Sequence, residues 1–77
     1  MVMMKQYKEP EAMYPEGTAL ASAEDGRIRL VFRAGRNGSA YIENGSEVIS
    51  VPDSARSSAS AMFDAMEKAY KMVSKRI

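Results

Sequence analysis

The stretch from Ser54 to Ile77 limits the fold more than any other. Ala59, Met62, Phe63, Met66, Tyr70, Val73 and Ile77 recur at spacings of three and four, which is one face of a 3.6-residue period. Ser57, Ser60, Asp64, Glu67, Lys68, Lys71 and Lys75 fall on the opposite side. No Gly or Pro interrupts the run, and Ala, Met, Lys and Glu favour helix. Pro52-Asp53-Ser54 marks a start, with Asp53 or Ser54 able to accept from the free amides of the first turn. Lys71, Lys75 and Arg76 suit the negative pole at the end. Asp64–Lys68 and Glu67–Lys71 are acid-before-base pairs at i, i+4. The pattern predicts one long amphipathic helix. Ala61, Ala65 and Met72 form a second, weaker stripe, read as helix flank or as a dimer contact.

The apolar face of that helix must cover something, and residues 17–51 supply a sheet. Asp25-Gly26, Gly35-Arg36-Asn37-Gly38 and Asn44-Gly45 are spaced turn signals. They leave strands near 18–24, 27–34, 39–43 and 46–51. Two-residue loops at Asp25-Gly26 and Asn44-Gly45 set Ala21 opposite Leu30, and Ala40 opposite Ile49. Alternation puts Ile28, Leu30, Phe32, Ala40, Ile42, Ile49 and Val51 under the helix. Thr18, Leu20, Ser22, Arg27, Arg29, Val31, Arg33, Tyr41, Glu43, Val48 and Ser50 then face away. Phe32 and Ile42 share a side only if the middle turn has odd length or carries a bulge. The expected fold is α+β: an antiparallel meander of three to four strands with one long C-terminal helix packed on one face.

Residues 1–16 have no clean period, and Pro10 and Pro15 break them. They read as a flexible N-terminal arm before a single domain over residues 17–77. The alternative is an edge strand over Val2–Tyr7, and Met13-Tyr14 are candidates to dock on the domain.

The 77 residues suffice for one small domain, which buries only about 60% of its unfolded surface. Cys and His are both absent, which removes disulfides, thiolate metal sites and the commonest general base. No catalytic residue, metal site, cofactor or small-molecule substrate is expected, so the chain does not read as an enzyme. The missing Cys fits the cytoplasm, and no apolar run is long enough for a membrane span.

Charge is local rather than global, since the formal net charge is only +1. Residues 1–26 hold two Lys against four Glu and one Asp, a balance of −3. Residues 27–36 hold four Arg and no acid, and residues 68–77 three Lys and one Arg and no acid, each +4. Arg27, Arg29 and Arg33 stand in one expected row, with Arg36 at the adjoining turn and Tyr41 on the next strand. Guanidinium groups grip phosphates bidentately, and an aromatic offers a stacking platform for a base. The competing reading is a solvated face whose Arg stems cover Val31 and Leu20, with Glu24, Glu43 and Glu47 as partners. Gly35-Arg36-Asn37-Gly38-Ser39 lacks the Gly-Lys-Ser/Thr ending of a phosphate loop and reads as a hairpin turn.

Ile49-Ser50-Val51-Pro52-Asp53 leading into a long helix resembles, in pattern, the transcriptional positive-cofactor family of single-stranded DNA binders. That resemblance implies a four-stranded antiparallel sheet, a dimerising final helix, and basic and aromatic residues on the sheet. The chain departs from it in lacking an aromatic early in the helix and a lysine-rich ribbon. The outline is equally similar to the three-stranded DNA-binding domains of some phage integrases and plant transcription factors. The expected function is nucleic-acid binding, to DNA or RNA, through Arg27, Arg29, Arg33, Arg36 and Tyr41. The alternative is a protein–protein interaction or assembly module, and a homodimer is expected under either.

Overall fold

The computed structural model describes residues 3–76. The chain runs β1 (Met3–Gln6), β2 (Ala19–Asp25), β3 (Ile28–Ala34), β4 (Ala40–Asn44), β5 (Glu47–Ser50) and α1 (Ala59–Ser74). The strands form one antiparallel sheet in the order β1-β2-β3-β4-β5. The fold is therefore an α+β meander with one C-terminal helix on one face, carrying one strand more than the turn signals indicate.

The extra strand is β1, whose Met3 to Gln6 pair with Glu24 to Ala21. Over the described residues this matches the edge-strand reading of the N-terminal segment, where the sequence pattern leads first to a flexible arm. The expected start of that strand, Val2, lies outside the described residues, as does the last expected helical position, Ile77. Beyond β1, Pro10 is fully buried, and Tyr14 packs on the core while its hydroxyl donates to the Glu9 carbonyl at 2.7 Å. Met13 remains exposed.

Both short hairpins close one residue later than expected. Asp25 pairs with Ile28 and Asn44 with Glu47, so the loops are Gly26-Arg27 and Gly45-Ser46. Gly26 and Gly45 have φ of +58° and +62°, whereas Arg27 and Ser46 do not adopt positive φ. A positive φ at the first loop residue alone is the pattern of a II′ turn, which wants Gly there. The shift moves every partner by two along the opposite strand, so it preserves faces. Ile42 now meets Ile49, and Ala23 and Ala21 meet Leu30 and Phe32. The middle connection spans residues 35–39, an odd length, and Phe32 lies opposite Ile42.

Leu20 departs from its expected position on the open face. Pairing steps from Ala21–Phe32 to Ala19–Arg33, which makes Leu20 the extra residue of a bulge. Its carbonyl accepts from both Tyr7 and Lys8 amides, so the end of β1 crosses over it and its side chain is fully buried.

The helix also differs at its start. Asp53–Arg56 form one 3₁₀ turn, and neither Asp53 nor Ser54 caps α1. Ser58, in extended conformation, is the N-cap, and its Oγ accepts from the Ala61 amide at 3.1 Å. Met62, Met66, Ala69 and Val73 are buried against the sheet, with Phe63 and Tyr70 partly so. Leu20, Leu30, Phe32, Ile42, Met62 and Met66 are the largest fully buried apolar side chains. Full burial of each contributes about 1.5–3 kcal/mol. Of the two expected helical ion pairs, Glu67–Lys71 forms at 3.1 Å, and Asp64–Lys68 is absent among the described residues. No helix is long and apolar enough to cross a membrane.

Two polar ties fix these parts. Arg56 is only 6% exposed and donates to three carbonyls: Pro10 at 3.0 Å, Ser39 at 3.0 Å and Ala12 at 2.5 Å. At the other end of the helix the Tyr70 hydroxyl donates to the Asp25 carboxylate. That bond lowers the Asp25 pKa and raises that of Tyr70, and a hydrogen bond from Arg76 lowers Glu47 in the same way.

Two outcomes are expected. Arg56→Ala strands three carbonyls and lowers stability to urea unfolding by about 2–4 kcal/mol. Arg56→Lys fails to restore it, because one ammonium cannot span the three acceptors. For pH, a lowered carboxylate pKa gives stability present above the unfolded value of about 4 and lost as pH falls through the folded values. A raised tyrosine pKa gives stability present below about 10 and lost as pH climbs through the folded value. Thermal melting should therefore hold level between these limits and fall outside them. Tyr70→Phe should flatten the alkaline limb and only part of the acid limb, since the Glu47–Arg76 pair remains.

Candidate functional site

The face away from α1 is built by strand alternation. Arg29, Val31 and Arg33 occupy alternate positions of β3, and Tyr41 lies directly opposite Arg33 on β4. Glu43 stands opposite Val31, and Glu24 opposite Arg29. The structure thus gathers three of the five expected contact residues: Arg29, Arg33 and Tyr41. Arg27 and Arg36 sit in the turns at opposite ends of β3. Arg27 lines a depression with Ile28, Glu47, Val73 and Arg76, beside the end of the helix.

The gathered arginines are matched by carboxylates. Arg29 Nε lies 2.8 Å from Glu24, although the pair is largely solvated, with Arg29 75% exposed. Arg33 is half-buried, donates from Nε to Glu43, and from a terminal nitrogen to the Gly17 carbonyl at 2.7 Å. Arg36 approaches Glu16 at 3.7 Å. A phosphate binding here would have to displace acids already in place. Exposed pairs contribute only about 0–1 kcal/mol each, so their main effect is to neutralise the face locally.

Sequence pattern missed the contribution of β1. Its register puts Met3 and Lys5 on the open face beside Glu24 and Ser22. Tyr7 follows, its hydroxyl 3.2 Å from Ser22 Oγ and its ring under the Lys5 ammonium at 5.2 Å. No signal in the chain announces it, because Met3-Met4-Lys5-Gln6-Tyr7 mixes polar and apolar residues on both of its faces. With Val31, Tyr41 and Val48, these residues give the face a mixed character: ion pairs set among aromatic and aliphatic groups. Val48 is 61% exposed and Met3 73%.

On the helix side, the second stripe is used differently. Ala65, Lys68, Ala69 and Met72 border Ile49, Ser50, Val51 and Pro52, forming a shallow groove of about 180 Å³ between α1 and the outer edge of β5. Met72 is 46% exposed. The described residues include no group of three or more His, Cys, Asp or Glu able to hold a metal.

The class these features define is a five-stranded antiparallel meander with one helix layer and one open face. No protein-family model, curated protein or solved structure matches the chain.

The ion pairs differ in what they support. Arg33→Ala should lower stability by about 1–2 kcal/mol, because it strands a half-buried carboxylate and the Gly17 carbonyl. Arg29→Ala should cost less than about 0.5 kcal/mol. Urea titration of both variants measures the difference.

Proposed function

We propose that this protein is an assembly module that binds other polypeptide surfaces through its sheet. One observation carries the reading: Arg29, Arg33 and Arg36 are engaged by this chain's own carboxylates, while Met3, Tyr7 and Val48 are left exposed at the two margins of the sheet and Met72 on α1 beside β5. Nucleic-acid binding draws its affinity from cations that neutralise phosphates. Protein interfaces draw theirs from aromatic, Met and Arg side chains in a near-neutral setting. The open face fits the second description. Among the described residues both outer strands, β1 and β5, also have a free side on which no strand pairs. A small domain without disulfides gains from such a contact, because its own core is limited. A cysteine-free chain suits a reducing compartment such as the cytoplasm.

Two measurements test this reading together. Light scattering across concentration should show mass rising above that of the single chain. A mobility-shift titration with single- and double-stranded oligonucleotides at ~50 mM salt should show no complex. A salt-dependent shift abolished by Arg29→Ala with Arg33→Ala, from a chain that stays monomeric, would replace assembly with nucleic-acid binding.

A further inference from the structure

We infer that the partner at the β5 edge is a second copy of this chain, which adds its own β1 there in parallel, head to tail. The inference rests on the assembly reading above and specifies its geometry.

The hydrogen-bond phase comes first. In a two-residue hairpin the residues flanking the loop bond to each other, and bonded pairs then alternate along the ladder. Asn44–Glu47 and Ile42–Ile49 are thus the bonded pairs of the last hairpin, and the backbone groups of Val48 and Ser50 point to the free side. The same alternation, carried from Asp25–Ile28 across β2, turns Met3 and Lys5 inward and Met4 and Gln6 outward. The Tyr7 amide bonding to the Leu20 carbonyl keeps this phase.

Direction and face follow. Five strands in a meander make β1 and β5 run the same way. A copy displaced sideways without turning over therefore presents its β1 parallel to β5. In a parallel pair an outward-pointing residue bonds to the two neighbours of the residue it faces. Ser50, facing the partner's Lys5, would bond to the residues on either side of it, which sets the partner's Met4 across from Ile49. Both those side chains lie on the open face, so the two helices stay on one side of a continuous sheet. Met4, on the helix side of β1, then enters the groove beside Ile49, Ala69 and Met72.

Charge selects this arrangement over a twofold one. Joining β5 to β5 would set two copies of Lys68 near each other, whereas head-to-tail addition brings the partner's Glu9 and Glu11, which follow β1, toward Lys68. Lys68 at the groove rim has no ion pair among the described residues, and Glu9 and Glu11, just past β1, have none either.

Proline at an outward-facing edge position removes a donor without breaking the internal ladder. Ser50→Pro should disable the β5 edge and Gln6→Pro the β1 edge, each alone giving a monomer that melts where the diluted, dissociated wild-type chain melts. The wild-type chain should grow in mass with concentration beyond two copies, and ~0.5 M salt should reduce that growth. Mixing the two variants should yield a one-to-one complex and nothing larger, because each retains the edge the other lacks. A dimer that stops at two copies and ignores Gln6→Pro would overturn the head-to-tail contact and leave the assembly reading intact. A chain that stays monomeric up to about 1 mM would overturn both.

Discussion

A single buried guanidinium holds three separate pieces of this chain together. Arg56 is nearly inaccessible, and its partners are carbonyls of Pro10, Ala12 and Ser39 rather than a carboxylate. Those acceptors belong to the strap after β1 and to the connection between β3 and β4. A charge removed from water must be fully hydrogen-bonded, and here backbone dipoles do that work. The break between the 3₁₀ turn and α1 follows from the same demand. A continuous helix from Ser54 would fix Arg56 on a regular helical surface. The turn instead lets Ala55 and Arg56 both point inward, and Ser58 restarts the helix with a new cap.

The tie at the far end is of another kind. Tyr70 reaches Asp25 at the tip of the β2–β3 hairpin, and Arg76 reaches Glu47 at the tip of the β4–β5 hairpin, with oxygens at 2.8 and 3.0 Å. The helix therefore ends by holding both hairpin tips, while the Arg56 turn before it holds the strap and the middle loop. Between these two sets of contacts the interface is apolar, with Leu30, Phe32 and Ile42 facing Met62 and Met66.

Much of this was legible in the residues. The 3.6 period gave the buried face of α1, and alternation gave the core face of β3 and β4, because a register displaced by two leaves each side chain on its side of the sheet. The odd length of the middle turn followed from the need to bury Phe32 and Ile42 together. Three things were not legible. Leu20 turns inward through a bulge that only the crossing of β1 explains. Asp53 or Ser54 reads as the cap, whereas the cap is Ser58, four or five residues later. Arg56 draws no notice in the sequence, because nothing local in the chain announces acceptors 17, 44 and 46 residues away. The site fared less evenly. Alternation places Arg29, Arg33 and Tyr41 together on the open face, whereas Arg27 and Arg36 end in turns at opposite ends of β3, and Glu24 and Glu43 pair with Arg29 and Arg33 as the competing reading has it. The neutralising geometry needed the cross-strand register.

The sheet meets its helix through a floor of small side chains: Ala21, Ala23, Ala34 and Ala40, with Ala69 on the opposing surface. These five positions set the spacing between the layers, since each leaves only a methyl group between the backbone and a Met, Leu or Phe. Enlarging one forces strained rotamers or pushes the layers apart, whereas swapping one large apolar group for another disturbs far less. Mutational drift in this core is consequently one-sided. Its bulky members are interchangeable and its methyl-bearing members are not, so descendants of such a chain should vary in which large groups they carry while keeping the interlayer distance.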